Sequence, residues 1–197
     1  MNNFAQELRH EHQLIDKVLA AMSTVADLME RGQELQASTL AGLVQFLRIF
    51  AGEYHHNKEE KYLFPLLETK GSIEINRRVA QVQREHCEIA DVVNQLASIS
   101  VIYSSDPEAV KLSLVPLIVR LAELYPALIW KEEYLLLPLA EHVLTDSEQK
   151  VLQSKFLRIT QEMGADVHDA FEELASGFAL VVEYADAGAC PLCSPAA

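Results

Sequence analysis

Glycine and proline are scarce in this chain, seven of each among 197 residues, which argues against a disordered or low-complexity polymer. Cysteine is scarcer still. The three residues at 87, 190 and 193 are too few for a disulfide framework. Basic residues are outnumbered, 16 against 29 acidic, and the net charge is −13. Such a surface repels phosphate backbones and anionic lipid, so neither a nucleic acid nor a membrane is an expected partner. No window reaches the ~20 uncharged apolar residues that cross a bilayer. Arg120, Glu123 and Lys131 interrupt the most apolar stretch. The opening Met1-Asn2-Asn3-Phe4 has no basic region followed by an apolar run, so no signal peptide is expected. The expected location is cytoplasmic.

What is present is hydrophobicity at helical spacing. Half of the residues are hydrophobic, and no stretch alternates in the manner of a strand. The spacing predicts helices over about 3–31, 37–69, 73–100 and 107–143, with Gly32 and Gly71 as stop signals. Asp106 followed by Pro107 is an N-cap and a first helical residue. Pro116, Pro126 and Pro138 are expected to kink the fourth helix. A fifth helical region follows Thr145-Asp146-Ser147-Glu148, with a break expected near Gly164. The fold class is therefore all-α. Short connections favour an antiparallel up-down-up-down four-helix bundle over residues 1–145. A C-terminal helical extension, 146–187, is expected to pack on it, followed by a tail, 188–197, that carries Cys190-Pro-Leu-Cys193.

Within that pattern a phrase is repeated. Glu11-His12-x-x-Ile15-x-x-Val18 returns as Glu85-His86-x-x-Ile89-x-x-Val92. His55-x-x-Lys58-Glu59-Glu60-x-x-Leu63-x-Pro65 returns as Leu128-x-x-Lys131-Glu132-Glu133-x-x-Leu136-x-Pro138. The offsets of 74 and 73 residues mark a duplicated helical hairpin, with Leu128 standing where the first copy has His55. In an α-helix, residues four apart share a face, so His55 and Glu59 reach the same point. Imidazole with carboxylate suits iron, manganese or zinc better than calcium or magnesium. One glutamate per hairpin is what a pair of cations needs as bridges.

A lone His-x-x-x-Glu is more often a solvated polar pair, and Glu60 and Glu133 read alone are ordinary surface charges. The coincidence of His12, His55, Glu59, His86 and Glu132 at matching places in a duplicate, flanked by Leu14, Ile15, Leu63, Phe64 and Ile89, outweighs that plainer reading. Buried imidazoles and carboxylates without partners are costly, and cation binding satisfies many at once.

These motifs, Glu-His-x-x-Ile, His-His-x-x-Glu-Glu-x-x-Leu-Phe-Pro and their second copies, resemble the hemerythrin-like, or HHE cation-binding, family over about residues 5–142. The ferritin-like alternative has its glutamate three residues before its histidine, the reverse of the order here. The resemblance implies a four-helix bundle around a non-haem di-iron centre with His12, His55, Glu59, His86 and Glu132 as metal ligands. The family's histidine at position 128 is replaced by Leu128; a histidine is also absent four residues after His86, where Ala90 stands, but many members of the family do without one there. One subsite would then be weak, empty or completed by another donor. Tyr125 is the nearest candidate, against the plainer reading of a core tyrosine.

The expected function is a non-haem iron protein that binds or senses O2, NO or redox state, or handles iron. A helical interaction module with a degenerate metal site is one alternative. An enzyme acting on peroxide or nitric oxide, or repairing iron–sulfur centres, is another. No nucleophile–base pair or phosphate-cradling loop competes. His10, His56 and His142 read as surface residues, Trp130 as core or interface, and Cys87 as a buried structural thiol. His168 lies outside the repeat. The chain could be a monomer or a dimer. In a dimer, two Cys190–Cys193 tails at the interface would supply four zinc-binding thiols.

Overall fold

The structure, a computed structural model, describes residues 3–33 and 35–185. The tail with Cys190 and Cys193 lies outside them. Six helices follow one another, with no strand among the described residues: α1 (Phe4–Glu30), α2 (37–68), α3 (Ile73–Tyr103), α4 (Pro107–Val143), α5 (Asp146–Met163) and α6 (Ala165–Ala185).

Local chemistry sets the ends. The Asn3 side chain accepts from the Gln6 amide at 2.8 Å and the Gln6 side chain accepts from Asn3 N–H, a reciprocal cap for α1. Asp106 accepts from the Ala109 amide at 3.1 Å, with Pro107 in the first turn where its missing N–H does no harm. Thr145 and Glu148 form a second reciprocal cap that starts α5. Gly164, at φ +95°, takes a conformation a Cβ disfavours and separates α5 from α6.

The interior of α2 and α4 departs from the expected α-helix. Residues Phe46–His56 and Glu59–Leu63 in α2, and Glu132–Leu136 in α4, are π-helical. The Phe64 amide bonds to the Glu59 carbonyl and the Leu137 amide to the Glu132 carbonyl, five residues back in each case. Pro65 and Pro138 follow directly. A proline has no N–H to donate, and in a regular turn its ring collides with the carbonyl four residues earlier. A wider turn precedes Pro65 and Pro138 at the same place in the two copies of Leu-x-Pro. Pro116 and Pro126 lie inside an unbroken α-helical stretch, Pro107–Lys131.

Helix α1 packs against α2 and α4, and α3 packs against the same two, which closes a ring of four around one core. Leu8, Ile15, Leu47, Phe64, Ile118, Leu121 and Leu136 fill it, each essentially inaccessible to solvent. Helices α5 and α6 lie against α1 and α2. Helix α4 has the length and composition of a bilayer-crossing segment, with mean hydropathy 1.7 over its most apolar window. Its buried face, Leu114, Ile118, Leu121 and Tyr125, belongs to the common core.

Candidate metal centre

The five residues singled out from the sequence converge at the middle of the ring. His12 comes from α1, His55 and Glu59 from α2, His86 from α3 and Glu132 from α4, all at most 2% exposed. Ligand atoms of His12, His55, Glu59 and Glu132 lie within 4.8 Å of one another. His86 completes the cluster from the other side, its Nε2 3.0 Å from Glu132 Oε1 and 3.6 Å from Glu59 Oε2. The remaining Nε2 atoms face the same carboxylates: His12 at 3.2 Å from Glu132 Oε2, His55 at 3.8 Å from Glu59 Oε2. All three imidazoles thus aim one nitrogen inward at the glutamate pair.

Their outer nitrogens are held by three further glutamates. His12 Nδ1 donates to Glu133 at 3.0 Å, His86 Nδ1 to Glu60 at 2.8 Å, and His55 Nδ1 to Glu11 at 2.8 Å. A hydrogen bond on one ring nitrogen fixes the direction and raises the basicity of the other. Glu60 of the first hairpin holds the histidine of the second, and Glu133 of the second holds the histidine of the first. Read in isolation these two looked like surface charges. The signal for both in the sequence is the duplicated Glu-Glu, Glu59-Glu60 and Glu132-Glu133. Glu11 also receives Lys58 Nζ at 2.5 Å, and that lysine is fully buried beneath α5, over the Tyr54 ring. In the second copy Glu85 pairs with Lys131 at 2.8 Å, but Leu128 leaves it no imidazole to orient.

The centre leaves polar atoms unserved. His12 Nε2, both oxygens of Glu59 and Oε2 of Glu132 are buried without a hydrogen-bond partner among the described residues. Native interiors rarely tolerate several such atoms together, and here they belong to residues whose ligand atoms lie within 4.8 Å of one another. A cation set between them would satisfy all four, so the donor set fits a transition metal.

The electrostatics agree. Burial alone would disfavour charge on His12 and His86, yet the Glu132 carboxylate beside both, with Glu133 and Glu60 respectively, pushes them up to about 10. Burial likewise opposes ionisation of Glu132, but the His12 and His86 imidazoles hold its carboxyl far below the usual range. Glu59 is pushed well up, first by burial and then by Glu132 beside it. Glu11 resists burial through His55 and Lys58 and is lowered to about 2. Two inward glutamates thus attract positive charge into the cluster, from protons or from cations.

Several readings from sequence need correction. His56 is not a surface residue: it is 6% exposed, and its ring stacks on His86 with centroids 3.9 Å apart. Cys87 is exposed rather than buried. Trp130 is 54% exposed, on the outside of α4. Tyr125 is a core residue, 1% exposed, whose phenol burial pushes up, with Glu132 adding to the shift. His10 and His142 are exposed, and His10 pairs with Glu172 at 3.0 Å.

A ring of helices that buries three inward-facing imidazoles and two carboxylates defines a class: helical proteins able to hold cations in their interior. The chain matches the family model of the hemerythrin HHE cation-binding domain over residues 3–140, and it belongs to that family. No curated protein and no solved structure matches it.

Proposed function

We propose that this protein is a non-haem iron protein of the sensing or carrying kind. In this reading α1–α4 form an antiparallel up-down-up-down bundle, and Glu59 and Glu132, with the three imidazoles, would hold two irons. His12 and His55 serve one iron and His86 the other. The iron would supply a redox-active Lewis acid for a small ligand such as O2 or NO. The chain's own residues orient the imidazoles through Glu11, Glu60 and Glu133 and keep bulk water out by burying every inward group.

The observation that carries this reading is the set of four unserved polar atoms on His12, Glu59 and Glu132. Leu128, buried where the repeat would otherwise carry a fourth imidazole, would leave the His86 side with fewer donor atoms for a metal. The decisive experiment is metal analysis of aerobically purified protein with its near-ultraviolet spectrum. About two irons per chain with oxo-to-iron absorption are expected. His55→Ala should lower the iron content, and Glu59→Ala should lower it at least as much. Ferrous iron at about 100 times its Kd should stabilise the fold by about 2.7 kcal/mol. A well-folded, colourless protein that takes up no iron would refute the proposal.

A further inference from the structure

Lys58 is fully buried, a place lysine seldom takes unless its charge is paired. From α2 its Nζ donates to Glu7 Oε1 and Glu11 Oε1 of α1, both at 2.5 Å, and lies 3.8 Å from the centroid of the Tyr54 ring. Each glutamate has a second oxygen engaged elsewhere. Glu11 Oε2 accepts from His55 Nδ1 at 2.8 Å, and Glu7 Oε2 accepts from Gln153 Nε2 of α5 at 2.5 Å. A continuous line of polar contacts therefore runs from α5 through Glu7, Lys58 and Glu11 to His55, whose Nε2 faces Glu59.

Helix α5 closes over this line. Phe156 brings its ring centroid to 5.6 Å from Lys58 Nζ, and Tyr54 bonds to Thr160 at 2.8 Å. The second half of the repeat supplies a natural control. Lys131, the counterpart of Lys58, meets Glu85 at 2.8 Å, but the two side chains are 26% and 21% exposed, and Leu128 gives Glu85 no imidazole to hold. Helix α5 starts at Asp146, past the 3–140 span that the family model matches. It is an addition to the cation-binding bundle, and it reaches the cluster by way of one lysine.

We infer that Lys58 is a positioning residue for the cluster and that α5 is a strap coupled to it: docked α5 fixes Glu11, Glu11 fixes His55, and a cation held by His55 in turn holds α5 down. A carboxylate pinned at one oxygen aims the other, and orienting a metal-binding imidazole from behind is worth about 10–100-fold in affinity. Coupling between two sites is reciprocal, so the cation must tighten α5 if α5 tightens the cation. The inference rests on the reading that the cluster holds cations, whichever the metal, and adds a helix outside the bundle that sets how tightly they are held.

Cobalt(II) on the full chain is the probe, because its visible absorption reports the donors around it. Lys58→Met keeps the length of the side chain without its charge and should weaken cobalt about tenfold or more, with a shifted visible band. Lys131→Met should bind cobalt as the parent does. Gln153→Met leaves Lys58 and both carboxylates in place and should give a smaller loss in the same direction; it carries the test if Lys58→Met does not fold. Hydrogen exchange reads the reverse arm. Cobalt should slow exchange of the α5 amides by a larger factor than those of α6, and Gln153→Met should shrink that difference. If a folded Lys58→Met binds cobalt as the parent does, if Lys131→Met loses as much affinity as Lys58→Met, or if Gln153→Met matches the parent in both affinity and α5 exchange, the inference is overturned while the cluster remains a cation site. If the parent takes up neither cobalt nor iron, the reading of the cluster itself has failed and takes this inference with it.

Discussion

Leu128 and His55 occupy the same place in the two halves of a duplicated hairpin, and that single difference breaks the symmetry of the cluster. Leu128 is 1% exposed, so a histidine put there enters the interior. An imidazole without a cation is then a buried polar group that costs about 1–3 kcal/mol. Leu128→His should melt earlier than the parent without iron and regain that loss with ferrous iron under anaerobic conditions, with more iron bound. Equal destabilisation of both forms, with no extra iron, would show that position 128 does not face the cluster. The outer glutamates offer a second test. Glu133→Gln and Glu60→Gln keep a hydrogen-bond acceptor of the same size but remove the charge behind His12 and His86. Each should weaken cation affinity about 10–100-fold while leaving the helical circular dichroism unchanged. An unaltered affinity would mean these contacts do not position the imidazoles.

At the level of elements, the π turns matter most. Their two copies start at Glu59 and Glu132, so the inward carboxylates stand where the backbone changes its hydrogen-bond register. Such turns recur at functional sites because the added residue re-aims side chains that a regular helix would direct elsewhere. Helix α5 raises a different question, since both a cap and a core contact could hold it. Thr145→Ala removes the reciprocal cap and should cost about 1 kcal/mol. Phe156, fully buried against the core and near Lys58, should cost about 3–5 kcal/mol when cut to alanine. Urea denaturation of both variants checks the order. If the cap proves the costlier loss, α5 is held by its own end rather than by packing.

For the whole molecule the governing quantity is charge. A chain at −13 has gathered Glu59 and Glu132 at its centre, with Glu11, Glu60 and Glu133 around them. When no cation is bound, protons supply the balance: His12 and His86, raised to about 10, stay protonated at neutral pH. A cation must displace those protons, so its apparent affinity rises as pH rises through neutrality and levels off only above about 10. Calorimetry in buffers of different ionisation enthalpy should report proton release as the cluster fills, from His12 and His86 and from Glu59, whose carboxyl is also raised. An affinity independent of pH between about 6 and 9 would contradict this charge assignment.

Helix periodicity and caps are local properties, so the all-helical class, the boundaries near Gly32, Gly71 and Gly164, and the Asp106–Pro107 start were readable from the chain alone. So were the five inward residues, because duplication singled them out from a background of ordinary histidines and glutamates. Other features depended on neighbours distant in sequence. Which nitrogen of each histidine faces inward was decided by Glu11, Glu60 and Glu133 reaching across from other helices. The burial of His56 came from stacking on His86, thirty residues away, and that of Lys58 from α5 closing over it, about a hundred residues away. Spacing along a helix tells which residues share a face. Only packing decides what that face meets, and with it which polar groups are paired, sealed in or left open to a cavity.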